Sequence, residues 1–163
     1  MTNPERKKPE KLAATCGLYC GACSILAAIR KRDPQLLELI ARGVADYLGH
    51  PVEAKDLACE GCLSKVVAVM CRECRLRACA FERGLTHCAH CDDFPCQQII
   101  DFNNDGFRHH SEVLDNIRRQ REIGLDAWVK EQEERWRCPG CGCVVDWYAV
   151  RCPTCDATLK GHF

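Results

Sequence analysis

The sequence predicts a small α+β protein: a cysteine-knuckle N-terminal module with helices, a helical middle, and a C-terminal hairpin. Three observations predict it. Sixteen cysteines stand in 163 residues, twelve of them as six CxxC pairs. Residues 97–137 hold no cysteine and instead place apolar side chains at helical spacing. Near the C-terminus, two CxxC pairs are separated by ten residues that include Val144, Val145 and Tyr148, side chains suited to a hairpin.

A chain of this length normally buries a sizeable apolar core, but cysteine at this density shifts the expectation toward cross-linked or metal-held structure. Disulfides belong to oxidising compartments. Met1 to Leu12 reads MTNPERKKPEKL, which lacks the apolar run of a secretory signal, and no apolar stretch approaches the roughly 20 residues that span a bilayer. The expectation is a cytoplasmic protein with reduced cysteines that hold metal. Formal charge is zero, with 23 basic and 23 acidic residues. Four thiolates around one divalent ion carry a net charge of about −2, so three filled sites would make the chain acidic by about six units. That balance argues against a nucleic-acid surface, which shows a basic surplus. Arg72, Arg75, Arg77, Arg118, Arg119 and Arg121 read as thiolate partners or solvated helix faces.

Taken in order, residues 1–11 are charged and proline-bearing, a disordered lead-in. Residues 12–102 form the cysteine-rich module. It opens with Cys16-Gly-Leu-Tyr-Cys20-Gly-Ala-Cys23, where Gly17 and Gly21 let the backbone wrap closely round an ion. Ser24 is placed to cap a helix through Ile25, Leu26 and Ile29. Asp33-Pro34 marks the start of a longer helix whose Leu36, Leu37, Ile40, Val44, Tyr47 and Leu48 share a face, with Gly49-His50-Pro51 as its stop. Cys59-Glu-Gly-Cys62 is the next knuckle. Then a CxxCxxxxC unit occurs twice, as Cys71, Cys74, Cys79 and as Cys88, Cys91, Cys96, with a short helix over 78–83 between. A turn or two of helix follows Cys96, and Asn103-Asn104-Asp105-Gly106 is turn chemistry. Residues 103–136 form a helical connector: one helix capped by Ser111 with Val113, Leu114 and Ile117 inward and Gly124 at its end, another capped by Asp126 and running through Trp128 and Val129 toward Trp136. Residues 137–163, with Cys138, Cys141, Cys152 and Cys155, read as a zinc ribbon.

The six pairs make three complete four-cysteine sites. Cys16, Cys79, Cys96 and Cys143 are left over. Cys143 reads as a spare thiol or packing residue. Eleven thiols lie between Cys16 and Cys96, so three sites with a histidine as twelfth ligand, or two sites with alternates, both fit. His87 and His90 are the candidates for that twelfth ligand, against the simpler reading of exposed histidines beside a knuckle. Zinc suits closed four-cysteine sites. The three thiols Cys16, Cys20 and Cys23 are also spaced the way [4Fe-4S] clusters are often held, with a fourth ligand from elsewhere.

The fragments Cys16-Gly-Leu-Tyr-Cys20-Gly-Ala-Cys23, Cys59-Glu-Gly-Cys62, Arg77-Ala-Cys79 and Cys88-Ala-His-Cys91-Asp-Asp-Phe-Pro-Cys96, in this order, resemble the domain-of-unknown-function family 3795. This is a small cysteine-rich prokaryotic family, regarded as zinc-binding and without an assigned reaction. The resemblance covers roughly residues 13–100, and the lead-in Glu134-Arg135-Trp136-Arg137-Cys138 with the terminal cysteines is similar to its longer members. It implies metal binding and adds no activity.

Three catalytic look-alikes fail on their own terms. The CxxxCxxC spacing at Cys16 is similar to that of radical-SAM enzymes, whose partial barrel needs more chain. His110-Ser-Glu112 matches the HxE of zinc deaminases, but their partner is PCxxC and here Pro139 follows Cys138. A redox dithiol would sit near a βαβ pattern, and none is visible. The expectation is therefore a non-catalytic, protein-binding accessory module with zinc. The alternatives are an iron-sulfur electron-transfer or redox-enzyme subunit and, third, nucleic-acid binding through the ribbon. No small-molecule substrate is identified.

Overall fold

The computed structural model describes residues 9–161 and 163. The disordered lead-in expected at the N-terminus lies, over residues 1–8, outside the described residues, and Pro9–Leu12 form a 3-10 turn. Among the described residues the fold is mostly helical. Its seven α-helices are α1 (Ser24–Lys31), α2 (Pro34–Leu48), α3 (Val69–Arg72), α4 (Arg75–Glu82), α5 (Gln97–Asn103), α6 (Val113–Ile123) and α7 (Leu125–Arg135). Extended pairing among them is limited to three isolated antiparallel bridges: Ala13 with Tyr19, Arg137 with Val144, and Arg151 with Thr158.

The expected α+β class and its C-terminal hairpin are therefore corrected. The residues between the last two CxxC pairs do not pair with one another as strands. Their backbone groups go to other partners: Val145 N–H donates to the Trp136 carbonyl (2.9 Å), and Trp147 N–H donates to the Ala22 carbonyl (3.0 Å). Val145 thus pairs with the chain entering the first knuckle and Trp147 with the N-terminal loop, so neither donor serves a ladder between the two CxxC pairs.

Helix starts follow local chemistry. Asp33 Oδ1 accepts the Leu36 N–H at 2.9 Å with Pro34 as the first helical residue, so α2 begins where the sequence places it. Gly49 closes it with φ +74°. Three expected caps differ: Asp126 lies inside α7, whose N-cap is Gly124, and the other two are serines. Ser24 is the first residue of α1 and Cys23 is its N-cap, without a side-chain bond. Ser111 donates to the Arg108 carbonyl at 2.6 Å in the 3-10 turn Arg108–Glu112, and Glu112 precedes α6. Gly124 separates α6 from α7.

Three buried clusters hold these elements. Ile25, Ala41, Val44, Leu57 and Val69 join α1, α2, α3 and the 3-10 turn Ala54–Leu57. Leu18, Leu76, Ile99, Val113 and Ile117 join α4, α5 and α6 with cysteines 16 and 62. The third joins the first cysteine loop to the C-terminal third of the chain: Ala13, Tyr19 and Ala22, Trp128, Val129 and Trp136, then Cys138, Val145, Cys152 and Leu159. The Tyr19 ring meets Trp128 edge-on, with centroids 6.3 Å apart.

Candidate metal centres

The C-terminal centre is built from one backbone device used twice. In the first knuckle Cys138 N–H donates to the Cys143 carbonyl (2.8 Å), Gly142 N–H donates to the Cys138 carbonyl (2.8 Å), and Gly140 N–H donates to Cys138 Sγ (3.3 Å). In the second, Cys152 N–H donates to Ala157 (2.8 Å), Asp156 N–H donates to Cys152 (3.0 Å), and Thr154 N–H donates to Cys152 Sγ (3.4 Å). Both need a positive φ at the fifth position of the turn, supplied by Gly142 (72°) and Asp156 (57°). The Arg151 guanidinium grips the Asp156 carboxylate at 2.6 Å and 2.8 Å, which steadies the non-glycine residue there.

The two turns face each other. Cys138 Sγ lies 3.6 Å from Cys155 Sγ, Cys141 Sγ lies 3.6 Å from Cys152 Sγ, and all four sulfurs fall within 4.8 Å of one another. Sulfurs bound to one ion at about 2.3 Å stand roughly 3.8 Å apart, so these four could hold a single ion. Backbone N–H groups from Cys155 and Thr154 hold the Cys152 thiol down to about 5, so a ligand-ready thiolate is available there. Cys138 and Cys152 are buried and Cys141 and Cys155 exposed, so the centre has one side in the core and one at the surface. Cys143, expected as a spare or packing thiol, has its sulfur 3.3 Å from Cys152 Sγ, a fifth sulfur at the edge of the set.

The N-terminal thiols gather differently. Gly17, at φ +90°, brings the Cys16–Cys23 loop onto α6 so closely that a β-carbon there would lie 2.7 Å from Ile117 Cγ1. Burial pushes the thiols of Cys16, Cys20 and Cys23 above their ordinary value, and neighbouring sulfurs add to it: Cys62 and Cys74 on Cys16, Cys62 on Cys20, Cys59 on Cys23. Cys71 is raised by burial and by Cys62, Cys23 and Cys59. So Cys16, Cys20, Cys23, Cys59, Cys62, Cys71 and Cys74 share one neighbourhood. Cys79, Cys88, Cys91 and Cys96 line a cavity of about 30 Å³ next to it, and Cys74 links the two groups by acting on Cys88. There burial, with Cys96 and Cys91 next in effect, pushes Cys88 up to about 12. A thiol kept protonated by burial ligates when a cation takes the proton's place. Among the described residues the group that brings three or more donors within 4.8 Å of one another is Cys138, Cys141, Cys152 and Cys155.

Among the described residues neither His87 nor His90 belongs to a set of three or more donors close enough to share one ion. His87 is buried. Its Nε2–H donates to the Ala13 carbonyl (3.1 Å) and its Nδ1 accepts from the Thr86 hydroxyl (2.9 Å), so both ring nitrogens are spent on packing the N-terminal loop. His90 is exposed, edge-on to His87. A histidine pair the sequence reading passed over joins the C-terminal segment to the connector. The His109 ring stacks on Trp147 (centroids 4.3 Å apart, 16° between planes) and is hydrogen-bonded to the Tyr148 hydroxyl. His110 bonds the Asp105 carboxylate at 2.8 Å and stacks on Phe102. Burial pushes His109 down to about 3. Only the adjacent His109-His110 hinted at this. Glu112, the acid of the HxE look-alike, is held by Arg135 at 2.9 Å.

The family model described as a protein of unknown function (DUF3795) matches residues 12–101. The chain belongs to that family. The match covers both N-terminal thiol neighbourhoods and stops before the connector, so the C-terminal four-cysteine set lies outside it. Neither the curated proteins nor the solved structures gave a match. No helix among the described residues is long and apolar enough to cross a membrane.

Proposed function

We propose that this chain is a multi-site metal-thiolate protein of a reducing, cytoplasmic setting. In this reading zinc sits at Cys138, Cys141, Cys152 and Cys155 in a ribbon-like end, the N-terminal thiols hold further metal, and the whole acts as an accessory module that binds another protein. The observation that carries it is the repeated knuckle, which aims four sulfurs at one point with N–H donors on two of them. Support for a non-catalytic role comes from the polar groups nearest the look-alike motif: His110 is committed to Asp105 and Glu112 to Arg135. The reducing setting is supported by sixteen free thiols.

The test is zinc, iron and acid-labile sulfide per chain on protein purified without oxygen, for wild type and Cys152→Ser. Loss of one zinc together with the native near-UV circular dichroism of the C-terminal tryptophans supports the reading. Unchanged zinc and unchanged dichroism would sink the ribbon. Protein binding is read by cross-linking in cell extract, with salt-dependent retention on DNA or RNA as the result that would favour a nucleic-acid role instead.

A second reading, an iron-sulfur electron-transfer subunit, is favoured by one observation. Cys16 and Cys20, two of the three closely spaced thiols, are buried beside the Cys62 sulfur, which could serve as the fourth ligand from elsewhere in the chain.

A further inference from the structure

We infer that Cys143 is an exchange ligand of the C-terminal centre: its thiolate takes the fourth position on the ion when Cys141, the exposed cysteine two residues before it, lets go. This rests on the metal-thiolate reading above and adds a ligand to the set that reading names.

The two knuckles match position for position. Cys138 and Cys152 open them, Cys141 and Cys155 are their outer cysteines, and Cys143 stands where the second knuckle has Ala157. The backbone treats Cys143 and Ala157 alike: Cys138 N–H donates to the Cys143 carbonyl and Cys152 N–H to the Ala157 carbonyl, both at 2.8 Å. The N–H groups of Cys143 and Ala157 in turn donate to the sulfurs of Cys141 and Cys155. Both residues pack, half-buried, against the same apolar cluster. Alanine meets every one of these demands, so the knuckle itself has no need of a thiol at position 143.

What the thiol adds is a sulfur at ligand range. Cys143 Sγ lies 3.3 Å from Cys152 Sγ, nearer than the 3.6 Å between Cys141 and Cys152 or between Cys138 and Cys155. Its thiol is also hydrogen-bonded to the Cys141 sulfur. A closed tetrahedral zinc site takes four sulfurs, so a fifth binds only by replacing one of them. Cys138 and Cys152 are buried, and each sulfur is held by an N–H, from Gly140 and from Thr154. Cys141 and Cys155 are exposed, and Cys141 is the one bonded to Cys143. The exchange balances: Cys143 gives up its proton as it binds, the departing Cys141 thiolate takes one, and the centre keeps four thiolates and a net charge of about −2. The first knuckle thus turns a sulfur out to solvent with the ion still held, which the second, with Ala157, cannot do.

The experiment uses the full chain with zinc, purified without oxygen, and reads zinc per chain together with alkylation of each cysteine by mass spectrometry. Cys141→Ser and Cys155→Ser remove equivalent outer ligands and differ in what stands behind them. Cys155→Ser is expected to lose one zinc relative to wild type, Cys141→Ser to retain it, and Cys141→Ser/Cys143→Ala to lose it. In Cys141→Ser, zinc protects Cys143 from iodoacetamide, and stripping the zinc restores labelling. Should Cys141→Ser fail to fold, two chains with Cys141 in place decide: alkylation of Cys141 leaves the ion on the wild type and releases it from Cys143→Ala to a coloured chelator. Three outcomes overturn the proposal: loss of zinc from Cys141→Ser equal to that from Cys155→Ser, labelling of Cys143 in Cys141→Ser that is the same with and without zinc, or equal zinc release from wild type and Cys143→Ala on alkylation of Cys141. In each, a zinc that Cys152→Ser removes leaves the metal-thiolate reading of the C-terminal centre standing. Zinc content unchanged by Cys152→Ser defeats that reading itself.

Discussion

Gly17 lets the first cysteine loop lie close against α6. Its φ of +90° belongs to the region that side chains avoid, and a β-carbon would also come within 3.2 Å of the Val113 carbonyl oxygen. Gly17→Ala should lower unfolding free energy by about 2–4 kcal/mol, from backbone strain plus overpacking. Urea unfolding checks it, and an unchanged midpoint would contradict the close approach. His109 carries a pH dependence of known sign. The folded state holds it neutral down to about pH 3, whereas the unfolded chain takes up a proton near the ordinary imidazole value of 6.5. The unfolded state therefore binds more protons in that window, and stability falls as pH drops through it by up to about 1.4 kcal/mol per pH unit. Acid also strips thiolate-bound metal, so the measure is a difference: His109→Gln should show a shallower loss between pH 6.5 and pH 4 than wild type.

Elements here are short, and each leans on a cap or a neighbour. The 15-residue α2 is the longest, and few of its side chains are fully buried: Ala41 and Val44 lie inside, while Leu39 is 63% and Tyr47 49% exposed. Its start is consequently held by local bonds to an unusual degree. Asp33→Ala should cost about 1 kcal/mol, seen as a lower thermal midpoint without change in metal content. Other boundaries sit at cysteines. Cys23, Cys74 and Cys96 occupy the N-cap positions of α1, α4 and α5, so thiols and helix N-termini coincide repeatedly. The positive end of a helix favours thiolate over thiol, and backbone N–H groups of Leu26 and Ile25 on Cys23, and of Arg77 and Leu76 on Cys74, act that way against the larger effect of burial.

At the scale of the whole molecule, the C-terminal centre is tied into the core it shares with Tyr19 and Trp128. Lys31 approaches Asp146 (4.0 Å), Trp147 bonds Ala22, and His109 stacks on Trp147. In the proposed metal-bound protein, removing the ion from Cys138, Cys141, Cys152 and Cys155 should therefore do more than release a tail. Titration with a strong chelator is expected to change tryptophan fluorescence and helical far-UV dichroism in one coincident transition. Fluorescence change at constant helicity would show that the C-terminal segment folds by itself.

The sequence by itself determined what depends on neighbours a few residues apart. A CxxC turn brings two sulfurs together through backbone bonds spanning two to five residues, so both C-terminal knuckles, and the four-cysteine set they make, were legible. The start of α2 at Asp33-Pro34 and the break at Gly124 were legible for the same reason. Only the tertiary structure decided which N-terminal sulfurs are neighbours, since Cys16 meets Cys62 and Cys74 across long stretches of chain with no local signature. It also turned His87 from a candidate ligand into a buried packing residue, through a bond to Ala13 at a separation of 74 residues. The expected hairpin failed likewise. Val144, Val145 and Tyr148 have strand-forming side chains, but the backbone donors of Val145 and Trp147 found better-placed carbonyls on Trp136 and Ala22, and β propensity yields to such partners.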